Sequence, residues 1–356
     1  MNNTRSYGSF LAGMLLIMLA SSARAVDAEA VGSDPAAVCH RDPPASPDAS
    51  APPAWVDRVE ADLQTGACRS ARWLDGLIGP PPDNSVYRTA SGSVETAFLW
   101  SRYYGTQPRL RFHADLPLPQ WDNRVHAFIG RFDRNEVVSE QHQRVGSIPS
   151  QFGDLQDEQT LVGLGYSGPP KKTGGWFDSS AGIRVDTPLD PFVKTSYYYV
   201  RSVWPASVLT LKESAFWEQR EGFGVTSRVD LDHAYRRAND QDDSWFLRSE
   251  ASATFSQRSL GVRGYGNMTL FHKLSERRAI ALQVGFDGQI GAIVPLHDFG
   301  AHIIYRHNLS REWLIVEWRS GLDWPREKRT DPRAPSWGGG VGLELLFGGG
   351  RPLGGL

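Results

Sequence analysis

Between about Ser91 and Phe347 apolar and polar residues alternate almost one for one. In 312–324, Leu314, Val316, Trp318, Leu322 and Trp324 fall on one face, and Glu317, Arg319, Gly321 and Asp323 on the other. In 336–347, Trp337, Val341, Leu343, Leu345 and Phe347 oppose Gly338, Gly340, Gly342 and Glu344. Segments 279–290, 223–235 and 109–116 follow the same rule. Successive side chains of a β-strand point to opposite faces, so a two-residue period predicts strands with one apolar and one charged face. The segmentation is 91–103, 108–117, 124–134, 158–168, 175–186, 191–203, 207–218, 222–236, 245–257, 260–273, 278–291, 298–308, 312–324 and 336–347. Because 91–103, 124–134 and 191–203 alternate poorly, twelve strands is the alternative to fourteen.

A soluble sandwich alternates too, but here the repeat persists through the whole region, and each segment is at least the ~9–11 residues that a tilted transmembrane strand needs. Many apolar faces carry an aromatic near an end (Trp217, Tyr235, Trp245, Trp313, Trp324, Trp337), where a membrane interface would hold it. The predicted fold is therefore all-β: an antiparallel transmembrane β-barrel over 86–347. An even strand count puts both barrel ends on the periplasmic side, makes 274–277 and 308–311 tight periplasmic turns, and makes 135–157 and 325–335 outer loops.

Ahead of the barrel the pattern changes twice. Arg5, the apolar run Phe10–Ala20 and the small-residue sequence Ala23-Arg24-Ala25 read as a secretory signal over 1–25, cleaved after Ala25. Residues 26–85 open as a Pro-, Ala- and Ser-rich linker. From Pro53, the apolar residues Trp55, Val56, Val59 and Leu63, then Trp73, Leu74, Leu77 and Ile78, recur at helical spacing and predict two short amphipathic helices, a periplasmic segment that serves as a plug or a docking arm. Export places Cys39 and Cys68, the two cysteines of the chain, in an oxidising compartment, where a disulfide between them is expected. A Gly-rich tail, 348–356, follows the barrel.

Composition sharpens this picture. The 12 Trp, 11 Tyr and 16 Phe suit aromatic girdles. A formal charge of −2 excludes the strongly basic field of a nucleic-acid binder. Together, the signal, the alternating strands and the terminal Leu345-Leu346-Phe347 resemble Gram-negative outer-membrane β-barrel proteins in general. That resemblance implies an outer-membrane location, contact with its lipid, and recognition of the last strand by the barrel-assembly machinery. The tail beyond Phe347 departs from the usual aromatic ending.

The inward faces carry Arg109, Arg111, Arg184, Arg228, Arg248, Arg306 and Arg319 with Asp115, Asp230, Glu250, Glu317 and Asp323. Buried charges must be paired, and a selective pore usually shows a ring of one sign. The near balance predicts a charged network that fills or narrows the lumen. Three functions fit: passage of small polar solutes, a structural barrel recruiting a periplasmic partner through residues 53–79, or a lipid-modifying enzyme. For the enzyme, His233 and Ser249 are the outward candidates, but with 235 facing 245 they are only diagonal and have no third orienting group. His302 with Arg306 reads as a lumen pair. No metal-ligand spacing or cofactor motif occurs, so no enzyme activity and no cofactor are expected. Glu213 is anomalous: it falls among the outward residues Leu209, Leu211 and Trp217, so a bulge re-aiming it inward, or a shifted register, is expected there.

Overall fold

A computed structural model describes residues 39, 55–77, 79–81, 85–121, 124–133, 137–139, 158–169, 174–186, 188–236, 244–259, 261–309, 311–330 and 332–348. All fall in the second of two compact units, Ala36–Leu356. The signal sequence, most of the Pro-rich linker, the Gly-rich tail and most of 135–157 lie outside the described residues.

Fourteen strands form: β1 (Ser91–Ser101), β2 (Gly105–Pro117), β3 (Val125–Asp133), β4 (Glu158–Ser167), β5 (Gly175–Val185), β6 (Asp190–Trp204), β7 (Ser207–Glu218), β8 (Gly222–Arg236), β9 (Ser244–Ser256), β10 (Val262–Ser275), β11 (Arg278–Gln289), β12 (Leu296–Asn308), β13 (Leu314–Asp323) and β14 (Ser336–Phe347). Each pairs antiparallel with its sequence neighbours, and β1 closes on β14 with Gly92 opposite Phe347 and Ser101 opposite Gly338. Closure leaves no open edge, and it resolves the strand count in favour of fourteen. The end of the barrel holding Ser91 and Phe347 is called the terminal end below, and the other the loop end.

The alternation sorts the side chains. On β13, Glu317, Arg319 and Asp323 are buried while Trp318 is exposed; on β11, Leu282, Val284 and Phe286 are exposed while Gln283 is buried. On these strands the outer face is apolar and the inner face polar. Among the described residues no helix is long and apolar enough to cross a membrane.

Ahead of the barrel, residues 55–76 form a single helix, α1 (Trp55–Gly76), in place of the two short helices expected over this segment. No proline interrupts the segment, and Gly66, between the two apolar runs, has open space around it, so nothing there forces a break. The Cys39–Cys68 disulfide forms, tying the helix to the preceding segment. Ala67, Cys68 and Ala71, with Leu63 and Leu74, pack on Ala114, Leu116, Val125, Ala127, Leu345 and Phe347. Those wall residues are in phase with exposed Leu110 and Val341, not with buried Arg111 and Glu344. The helix therefore lies on the outer wall at the terminal end, outside the lumen. Polar ties fix it. Arg311, in the turn after β12, grips Asp57 at 2.7 and 2.8 Å. Gln64 donates to the Arg88 carbonyl at 2.8 Å, and the buried Tyr87 hydroxyl donates to Asp75 at 2.5 Å. Burial and that carboxylate raise the Tyr87 pKa above the ordinary phenol value, so the hydroxyl keeps its proton.

Candidate functional site in the barrel lumen

The candidate site is the lumen itself, built by the inward-facing half of every strand. At the loop end, Arg184 (β5), 1% exposed, donates to Asp190 at the start of β6 and to Glu218 at the end of β7, both at 2.7 Å. The chain reverses around this group: the amide of Gln219, in the turn after β7, donates to Asp190 at 3.0 Å. Across the same end, Glu158, the first residue of β4, takes Arg109 at 2.5 Å and Arg111 in a shorter contact, with Arg131 at 3.4 Å.

Midway, Arg228 (β8) bridges Asp230 at 2.8 Å and Glu250 at 2.9 Å, and Glu250 also accepts from Asn267 at 3.2 Å. Arg319 donates to Gln283. His302 stands 2.9 Å from Asp323, its ring lying over Gly321, where a Cβ would collide with it. Towards the terminal end, Arg306 meets Glu344 at 2.6 Å and Glu317 at 3.4 Å, and Arg248 holds Asp232 in a fork at 2.8 and 3.2 Å. Asp115 is the most open member, 3.7 Å from the imidazole of His126. The structure thus brings the charged residues read from the sequence onto one inner surface. It distributes them among several local clusters, each holding both signs. His302 partners Asp323.

Three groups were not legible as site residues. Glu158 and Asp190 sit at strand starts, where alternation carries least information. The third is the segment 137–139 of the long connection between β3 and β4, which folds into the lumen. Val138, 1% exposed, is enclosed with the inward rings Phe128, Phe132, Phe192 and Phe216 and with Leu161. Lys194 donates to the Val137 carbonyl at 2.9 Å, and Thr226, four strands beyond β4, donates to the Ser139 carbonyl at 2.6 Å. A second apolar group, Phe271, Ala281, Ile304 and Phe246, lines the inner face of β9–β12 nearer the terminal end.

Among the polar residues on the outer wall, Glu213 and His233 bear on the sequence reading. Glu213 points outward, and the expected bulge or register shift is absent: the β6–β7 ladder runs unbroken from Phe192–Glu218 to Ser202–Val208 and shifts only beyond it, and Glu213 lies opposite Ser227 on β8. The carboxylate is accommodated there because the Ser227 hydroxyl donates to it at 2.7 Å. His233 lies opposite Leu247, and Leu231 opposite Ser249, the diagonal relation expected. The hydroxyl within reach of His233 is instead that of Ser207, 2.6 Å from its Nδ1. A hollow of about 720 Å³ lies on the apolar outer surface around Met268, Leu282, Ala301 and Ser320. Among the described residues no group of three or more His, Cys, Asp or Glu is arranged to hold a metal ion.

No protein-family model and no curated protein sequence matches the chain. Among solved structures it is similar to the outer-membrane protein OmpT of Vibrio cholerae, with 9% identity over 72% of this chain and 97% of that one and a TM-score of 0.41. It is also similar to an anion-selective porin from Comamonas acidovorans, with 11% identity over 72% and 98% of the two chains and a TM-score of 0.39. CdiB from Acinetobacter baumannii gives 7% identity over 73% and 60%, with a TM-score of 0.45.

Proposed function

We propose that this chain is an exported outer-membrane barrel of a Gram-negative bacterium that passes small polar solutes through a lumen narrowed by its own β3–β4 connection. Support for the membrane comes from the outer wall: Leu282, Val284, Phe286, Ile303, Val225 and Val229 are each 42–53% exposed around the barrel's middle. So large and continuous an apolar surface is not left to water. The observation that carries the functional part is the seating of Val137–Ser139 across the lumen, on Lys194 and Thr226. An entirely structural barrel could fill its interior from its own strands. Here a connection from the loop end supplies backbone to the lumen, the geometry of a constriction. Around it the paired arginines and carboxylates give a wet, sign-balanced surface, suited to small polar solutes of either charge and weakly selective between them.

Conductance of the purified mature protein in a planar lipid bilayer tests this reading. Small, discrete single-channel steps with weak selectivity between cations and anions are expected. A bilayer that stays silent at every voltage, with correctly folded protein inserted, would remove the solute-passing reading and leave the structural one.

A further inference from the structure

The outer-wall helix carries two faces that the barrel does not use. Trp55 and Trp73 are 18 residues apart, five helical turns, so they point the same way. They are 73% and 65% exposed, and Leu77 (66%) and Val59 (38%) stand beside them. Leu63 and Leu74 continue this apolar flank down to the wall, where they join the packed cluster. On the other flank Arg58 and Arg69 are exposed, and Asp62 is the exposed acid of the helix. Going round the helix, one meets a face docked on the barrel, an apolar face rich in Trp, and a cationic face.

That sequence of faces fits one surrounding. The docked face rests on wall residues that belong to the apolar belt, so the apolar flank extends the belt sideways. At the same end of the barrel the wall exposes Trp204 (64%), Tyr235 (49%) and Leu274 (49%), and the connection between β2 and β3 exposes Trp121 (43%). This is an aromatic girdle, and α1 brings Trp55 and Trp73 to the same end of the barrel. A helix with Trp on one side and Arg on the next lies in the plane of a bilayer surface, its apolar side at the acyl boundary and its cations among phosphates.

We infer that α1 is an interfacial anchor that lies in the periplasmic leaflet of the membrane and binds anionic phospholipid, with Trp55, Val59, Trp73 and Leu77 in the lipid and Arg58 and Arg69 at the headgroups. The inference rests on the membrane-spanning reading above. The disulfide and the Asp57–Arg311 pair hold the helix at the height of the girdle.

Nitroxide labels on the full mature chain, its native disulfide intact, test this in vesicles of phosphatidylethanolamine and phosphatidylglycerol. Labels are placed singly through Val59→Cys, Trp73→Cys, Val284→Cys on the wall and Glu276→Cys in a terminal-end turn. Collisions with oxygen report lipid, and those with a water-soluble nickel chelate report solvent. Positions 59 and 73 are expected to favour oxygen over nickel several-fold relative to 276, approaching 284. The ratio at 73 is expected to fall when phosphatidylglycerol is replaced by phosphatidylcholine. If 59 and 73 match the turn while 284 reads lipid, the anchor is refuted and the barrel stands. Labels at 59 and 73 shielded from both reagents would mean protein cover, a partner or a second copy, and would also refute it. If 284 itself reads water, the membrane-spanning reading fails instead. Val59→Cys keeps the test valid should loss of Trp73 loosen the helix.

Discussion

Replacing Arg184 by Met is expected to destabilise the barrel by about 3–5 kcal/mol, the usual cost of breaking a buried ion group by removing one partner. Arg184 is 1% exposed and its two donors are each 2.7 Å from a different carboxylate. Asp190 opens β6 and Glu218 closes β7, so the guanidinium joins three consecutive strands at the rim. Met fills a similar volume but leaves both carboxylates without the cation that bridges them. Desolvation of a buried carboxylate costs several kcal/mol, and that term dominates the small loss in packing. Arg184→Lys should recover only part of the loss, because an ammonium is a point charge and cannot present the planar fork that spans two acceptors. Urea unfolding in detergent micelles, followed by the heat-modifiable gel shift, measures this. A change within about 0.5 kcal/mol of wild type, the range of ordinary surface substitutions, would show that the group is not a structural tie.

Val138→Asp is expected to raise single-channel conductance several-fold with the barrel still folded. Burial of one Val contributes about 1.5 kcal/mol or slightly more. The hydrogen bonds from Lys194 and Thr226 to the segment's backbone add about 1–3 kcal/mol each, the charged donor being the stronger. The inserted segment is therefore held by only a few kcal/mol. A carboxylate among Phe128, Phe132, Phe192, Phe216 and Leu161 forfeits the apolar contribution and adds a desolvation penalty of several kcal/mol. The sum changes sign, and the segment should leave the lumen. The aromatic cage belongs to the strands, so the barrel's closure is untouched. Vesicle swelling in sugars larger than those the wild type admits measures the same opening. Unaltered conductance in a folded variant would mean that the constriction lies elsewhere, for example in the apolar group around Phe271 and Ile304.

Most of the barrel was legible because burial on two sides by different media imposes a strict period of two. On β13 and β14 the outward apolar and inward polar sets separate most cleanly, and the sequence segmentation of β7, β8 and β14 matches the structure residue for residue. Legibility failed in one sector for a physical reason. On β3, β6 and β7 the inward residues include Phe128, Phe132, Phe192 and Phe216, which enclose Val138. On β5 to β8 the outward residues include Ser179, bonded to Thr195 at 2.9 Å, and Glu213 with Ser227. Apolar residues inside and polar residues outside both blur the alternation. The poor periodicity of 124–134 and 191–203 was thus a trace of the inserted segment, and the Glu213 anomaly was a true outward carboxylate. The charged lumen was readable as a set, but not as pairs. Glu158, which gathers three arginines, and Asp190, which anchors Arg184, lie where strands begin and the period has no phase. The helical segment misled in a different way: its buried face is Asp57, Glu60, Ala61, Gln64, Ala67, Cys68, Ala71 and Asp75, small and polar, so of the apolar residues that announce the helix only Leu63 and Leu74 reach the wall, and Trp55, Val59, Trp73 and Leu77 stay exposed.

The central claim is that part of the β3–β4 connection sits inside the lumen against β8. Its most direct test is a cross-link between Ser139→Cys and Thr226→Cys, at the place where the Thr226 hydroxyl donates to the Ser139 carbonyl at 2.6 Å. The Cys39–Cys68 disulfide occupies the native thiols. Mild oxidation of the double variant in intact membranes should join the two positions nearly completely, detectable after proteolysis, and should fix the conductance at its low value until a reductant is added. Failure of positions 139 and 226 to cross-link in a folded, inserted barrel would contradict a lumen narrowed by its own loop.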